Sequence, residues 1–177
     1  MTTSHENPKQ EEHMFASTAF NLDDYIWFRP SYSDVLYTEI YRYHEAHGGQ
    51  WDLAHDVGTG AGIVAEELAT SFGCVAASDP SAFYLEQTKQ RLHSSSIKSK
   101  LIFGCHPGED MSWLPSGSVD MVTIAEAIHW TDHEQVLSSA SEVLKPGGTL
   151  AIWLYGTRSF FVDPDAHQHI LDDVYER

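Results

Sequence analysis

Asp56-Val57-Gly58-Thr59-Gly60-Ala61-Gly62 is the stretch that decides the fold of this 177-residue chain. It follows an apolar strand-like run at 52–57 and leads at once into a helical pattern, Val64, Leu68 and Phe72 at four-residue spacing, with Gly73 as its stop. Three glycines at alternate positions let the backbone turn tightly and approach a ligand closely, while free amides at the helix start face it. A nucleoside-type ligand fits such a loop, although a plain strand-to-helix turn would also use glycines. A dinucleotide fingerprint needs G-x-G-x-x-G, whereas here the residue three after Gly60 is Ile63, so NAD is disfavoured. Seventeen residues past Gly62, at the end of a second strand-like run, stands Asp79 in Ala77-Ser78-Asp79-Pro80. A carboxylate there can accept hydrogen bonds from both hydroxyls of a ribose, and it can also serve merely as a helix cap.

Working outward, short apolar runs at about 52–57, 74–79, 101–106, 119–126 and 149–155 alternate with helical segments. Ser33 is placed to cap a helix with the stripe Leu36, Ile40 and Tyr43, closing at Gly48-Gly49. Ser81 caps another that buries Leu85, Thr88 and Leu92. Thr131-x-x-Glu134 reads as a capping box opening a further helix with Val136, Leu137, Ala140 and Leu144, stopped by Pro146-Gly147-Gly148. The alternation predicts an α/β fold, a five-strand parallel sheet in the order 3-2-1-4-5 with helices on both faces and ligands at the carboxyl ends of the strands.

The composition suits one globular domain: 42% hydrophobic residues and no apolar run near the ~18 residues of a membrane helix. The polar N-terminus shows neither a secretory nor a transit signal, which makes a cytoplasmic location the expectation. With 26 acidic against 10 basic residues the net charge is −16, a balance that repels nucleic acid and acidic membranes. Cys74 and Cys105 lie in strand-like runs and read as buried, reduced thiols.

The runs DVGTGAG (56–62), SDPS (78–81), HPGEDMSWLPSGSVDMVTIAEAIHW (106–130) and VLKPGGTLAIWLYG (143–156) together resemble the successive motifs of class I S-adenosylmethionine-dependent methyltransferases, whose fold is Rossmann-like. The FRPSY arm (28–32), AIHW (127–130) and AIWLYG (151–156) are similar to the trans-aconitate methyltransferase type, whose members act on small acids and natural products. The resemblance covers residues 20 to 177 and implies S-adenosylmethionine as cofactor. It implies that Asp56, Gly58, Thr59 and Gly60 surround the methionine part, that Asp79 holds the ribose, that Gly108 and Glu109 border the adenine, and that Ala125 and Glu126 sit near the sulfonium. Pro107 replaces a residue that is commonly small and polar. Tyr25 and Arg29 fall in an arm that the resemblance places over the cofactor, with Arg29 either paired to a carboxylate or out in solvent.

The expected organisation is a flexible tail at 1–19, an arm and helix covering the cofactor at 20–49, the cofactor-binding core at 50–157, and a C-terminal helix at 158–177 in an incomplete region. The resemblance implies seven strands, of which five are counted here. The fifth would then be an open edge, a route to homo-oligomers. Two functional classes follow: a methyltransferase acting on a small-molecule carboxylic acid or hydroxyl, or a non-catalytic cofactor-binding protein that needs a partner. His129 follows the fourth strand and is the candidate base, with Trp130 a flat wall for the acceptor. The alternative is that both simply pack. His129 and His133 are four apart without a third ligand, so no metal is expected. The pairs His44/His47 and His167/His169 read as solvated helix-surface residues.

Overall fold

The computed structural model describes residues 32–93 and 95–154. The expected tail, the arm with Tyr25 and Arg29, and the C-terminal helix lie outside the described residues. The elements run α1 (Asp34–Ala46), β1 (Leu53–Val57), α2 (Ile63–Ser71), β2 (Cys74–Ser78), α3 (Ala82–Leu92), β3 (Leu101–Gly104), β4 (Val119–Ala125), α4 (His133–Val143) and β5 (Leu144–Trp153). The strands form one sheet in the order β3-β2-β1-β4-β5, and every pairing is parallel. The sheet expected from the alternation is therefore the sheet observed.

Strand alternation splits the core into two layers, one on each face of the sheet. On one face Val57, Ala76, Val122 and Ile124 pack with Val136, Ala140 and Val143 of α4. On the other, Ala54, Val75, Ala77 and Met121 meet Val64, Leu68 and Phe72 of α2, with Ile40 and Tyr41 of α1 against them. A register shift between Val119 and Met121 puts those two neighbours into opposite layers.

Several local expectations need correction. Ser33 does cap α1, its hydroxyl accepting from the Leu36 amide. The buried stripe, however, is Tyr37 and His44, while Tyr43 is 57% exposed. His44 is not a surface residue. Its Nδ1 is 2.8 Å from Thr149 Oγ1 and its Nε2 is 2.8 Å from the Gln50 carbonyl, bonds that satisfy both ring nitrogens inside the core. The cap of α4 is Asp132, which accepts from the Gln135 amide, whereas Thr131 Oγ1 donates to the Ile128 carbonyl. Leu137 is exposed rather than buried, and β5 starts at Leu144, inside the stretch assigned to the end of the helix. Cys74 is half-buried and Cys105 exposed, since β3 ends at Gly104 and releases the following residue to the surface.

The amino-terminal ends of the strands are tied by Asp120. Its Oδ2 accepts from the Asp52 and Leu53 amides at 3.1 and 2.9 Å, and Lys145 Nζ lies 2.8 Å from its Oδ1. This carboxylate substitutes for the partners that β1 lacks before its ladder begins, and leaves the opposite rim of the sheet free for chemistry. Among the described residues no helix is long and apolar enough to cross a membrane.

Candidate functional site

Because all five strands run the same way, the loops that leave their carboxyl ends converge on one rim, where open α/β sheets hold ligands. A cleft of about 620 Å³ opens there, within the roughly 300–1,000 Å³ usual for small-molecule sites. The loop after β1 contributes Gly58, Thr59 and Gly60, the turn after β2 Asp79, Pro80 and Ser81, and the turn after β3 Pro107, Gly108 and Glu109. The end of β4 adds Ala125, Glu126 and Ala127, and the segment before α4 adds Trp130 and Thr131. Asp56 lines the floor.

The glycine loop is held in place from several sides. Gly58 has φ +67°, and a Cβ there would lie 2.6 Å from Ala127 Cβ, so glycine is needed for both conformation and space. The Thr59 amide donates to the Ser78 carbonyl at 2.9 Å, and Thr88 Oγ1 of α3 donates to the Gly60 carbonyl at 2.6 Å. Asp79 Oδ2 accepts from the Gly60 amide at 3.0 Å and its Oδ1 from the Ser81 amide at 2.9 Å. Asp79 thus braces the loop after β1 against the helix after β2. Each of its oxygens keeps a lone pair for a ligand hydroxyl. Burial pushes its pKa up, against the pull of those two amides.

Asp56 is buried beneath the loop. Its Oδ2 accepts from Thr59 Oγ1 at 2.7 Å and its Oδ1 from Thr123 Oγ1 at 2.9 Å. Burial pushes its pKa up to about 6, opposed chiefly by these hydroxyls. Glu109 Oε1 accepts from the Asp132 amide at 2.7 Å, so it helps cap α4 while facing the cleft. Glu126 is the one non-glycine residue with positive φ, +54°, among the described residues, and its amide donates to the Trp153 carbonyl at 3.0 Å. A side chain held in that conformation costs of the order of 1–3 kcal/mol, strain of a kind that clusters at functional sites.

The residues singled out from sequence that line the cleft are thus Asp56, Gly58, Thr59, Gly60, Asp79, Gly108, Glu109, Ala125, Glu126 and Trp130. His129 is exposed and stands outside the lining, its ring 4.8 Å from that of Trp130. Tyr32 and Tyr84 also line the cleft, two residues that sequence reasoning misses. Tyr84 follows the Ser81 cap in the first turn of α3, a position that the acidic residue before the cap makes legible. Burial and the charge of Asp79 raise its phenol to about 12. Among the described residues no three His, Cys, Asp or Glu side chains are grouped as a metal site.

The lining, with Asp79 beside the glycine loop and apolar and aromatic walls, is of the kind small-molecule sites use. Comparison with known proteins points the same way. A family model described as a methyltransferase domain matches residues 55–152. The chain is 37% identical over 161 residues to the methyltransferase pgmE of Aspergillus terreus, covering 87% of this chain and 48% of that protein. It is 38% identical over 157 residues to the methyltransferase cfoB of Aspergillus candidus, covering 86% of this chain and 48% of that one. The chain therefore spans about half the length of the curated relatives it matches. A solved structure from Anaeromyxobacter dehalogenans, proposed to be a type II methyltransferase, superposes with a TM-score of 0.63 at 29% identity, over 84% of this chain and 57% of that one. With the family model reaching from β1 to β5 and the glycine loop and Asp79 inside it, this chain belongs to the class I S-adenosylmethionine-dependent methyltransferases.

Proposed function

We propose that these residues form the cofactor-binding half of a methyltransferase acting on a small molecule. The observation that carries this reading is the bracing of the glycine loop by Asp79 at the carboxyl rim of a parallel sheet. S-adenosylmethionine, when bound, supplies an electrophilic methyl group on a sulfonium. The protein's work is then positional: holding donor and acceptor at near-attack distance can contribute ~7–11 kcal/mol. In this reading Asp79 holds the ribose hydroxyls, Gly58, Thr59 and Gly60 admit the methionine part over Asp56, Gly108 and Glu109 border the adenine, and Ala125 and Glu126 border the sulfonium.

The acceptor class divides two ways. A small carboxylic acid is already ionised at neutral pH and needs no base. A hydroxyl acceptor needs one, and His129, in ring contact with Trp130 of the lining, is the candidate. Trp130 would present its face to either.

The experiment is calorimetry of this chain with S-adenosylhomocysteine, with NAD as the control. Binding of the first and not of the second is expected. Asp79→Ala should weaken it by ~1–3 kcal/mol through lost charge-assisted hydrogen bonds. Unchanged affinity in that variant would remove Asp79 from the ribose site.

A further inference from the structure

The loop after β1 is gripped from behind by α3. Thr88 and Arg91 stand three residues apart on that helix, a spacing that puts both side chains on one face. Thr88, fully buried, donates its hydroxyl to the Gly60 carbonyl at 2.6 Å, and Arg91 Nε donates to the next carbonyl, that of Ala61, at 3.1 Å. Glu66 of α2 fixes the guanidinium, its Oε2 accepting from Arg91 Nη1 at 2.7 Å. Gly62 leaves room for the Thr88 side chain, since a Cβ there would lie 2.5 Å from Thr88 Cγ2. Gly60 is thus held at both of its polar groups, its amide by Asp79 Oδ2 at 3.0 Å and its carbonyl by Thr88. Gly60 and Ala61 line the cleft, whereas Thr88 and Arg91 stand outside the lining.

A glycine at φ +49° has many alternative conformations, so the peptide that follows Gly60 needs an external hold to keep one orientation. In a trans peptide the carbonyl and the following amide point opposite ways, and drawing the Gly60 carbonyl onto α3 turns the Ala61 amide away from that helix. We infer that Thr88 and Arg91 are positioning residues of the cofactor site: without touching the nucleoside ligand, they fix two successive carbonyls of the loop and so preorganise the backbone that meets it. The inference rests on the proposed function and assigns the loop's shape to two side chains of a helix whose periodicity marks Thr88 only as core. Order that the protein holds before binding is order the ligand does not have to impose, so the loss of either contact is read in affinity as well as in stability.

The test is calorimetric titration of this chain with S-adenosylhomocysteine, well below the melting temperature, beside thermal denaturation of the same samples. Thr88→Val keeps the shape and removes the hydroxyl, and Thr88→Ser keeps the hydroxyl. Arg91→Met keeps an unbranched side chain and removes every donor, at a position that is only half-buried. Thr88→Val and Arg91→Met should each weaken binding about three- to tenfold, the scale of one hydrogen bond, while Thr88→Ser stays within about twofold of wild type. Hydrogen exchange of the 58–63 amides should quicken in the two weakened variants and not in Thr88→Ser. Lower melting temperatures with wild-type affinity in Thr88→Val and Arg91→Met overturn the inference and leave the proposed function intact, because the contacts then serve packing alone. Thr88→Ser binding as weakly as Thr88→Val overturns it as well, by assigning the effect to the methyl beside Gly62. Where Thr88→Val does not fold, Arg91→Met decides. A wild-type chain that binds no S-adenosylhomocysteine defeats the proposed function and the inference with it.

Discussion

Gly58→Ala isolates what the loop after β1 demands of its backbone. Two penalties add at this position. Alanine at φ +67° costs roughly 1–2 kcal/mol for the left-handed conformation. Its Cβ would also meet Ala127 Cβ at 2.6 Å, and forcing β1 and the segment after β4 apart adds roughly 1–3 kcal/mol of overpacking. The expected loss is about 2–5 kcal/mol, a large part of the roughly 5–15 kcal/mol that typically holds a domain together. Gly48→Ala serves as the reference, because Gly48 has φ +80° but nothing within 4 Å of the added carbon. It should show the conformational cost alone. The double substitution Gly58→Ala with Ala127→Gly removes the clash while keeping the φ penalty. With Ala127→Gly alone closing the cycle, the two changes should couple favourably by about 1–3 kcal/mol. Urea denaturation of the wild type and these variants gives each free energy. Equal losses for Gly58→Ala and Gly48→Ala, with no coupling to Ala127, would refute the claim that close packing of the loop on β4's exit makes glycine necessary there.

The remaining predictions concern charge inside the fold. His55 and Asp56 are neighbours on β1 that titrate with opposite sign: burial holds His55 down at about 3 and pushes Asp56 up to about 6. A depressed histidine costs stability as pH falls below its usual value near 6.5, because the unfolded chain then binds the extra proton. A raised carboxyl gains stability as pH falls through 6, because the folded chain does. The Asp56 shift amounts to about 3 kcal/mol, so Asp56→Asn should lose up to that much more stability than wild type between pH 6.5 and pH 4. Parallel stability curves for the two proteins would contradict the assignment. Asp120→Ala strands the Asp52 and Leu53 amides and removes one of the two carboxylates that hold Lys145, and should cost about 3 kcal/mol in denaturant unfolding. Asp120→Asn, which keeps an acceptor for the amides, should recover part of that loss.

Sheet order and the rim at which the cleft opens were legible in the residues themselves, because both follow from local rules. Short apolar runs alternating with helical stripes admit one economical parallel sheet, and a glycine loop after its first strand must emerge at the carboxyl rim, as Gly58 and Gly60 do. Asp79 was legible for the same reason, standing where a second strand ends. What the chain could not disclose locally was the choice among residues of equal local merit. His44 and His47 look alike in sequence, and only Thr149, 105 residues further on, makes the first a core residue. Thr131 and Asp132 are both good caps, and the choice fell to Asp132, whose own amide is held by Glu109 from the neighbouring turn. His129 and Trp130 are adjacent, yet only Trp130 reaches the lining, because the short turn Ile128–Trp130 rotates successive side chains apart. The aromatic contribution of Tyr32 likewise depended on a partner far along the chain, its ring lying 5.4 Å from that of Trp153. Periodicity reports which face of an element is buried, and burial energy is non-directional. The identity of the partner across roughly 20 to 100 residues is a property of the assembled tertiary structure.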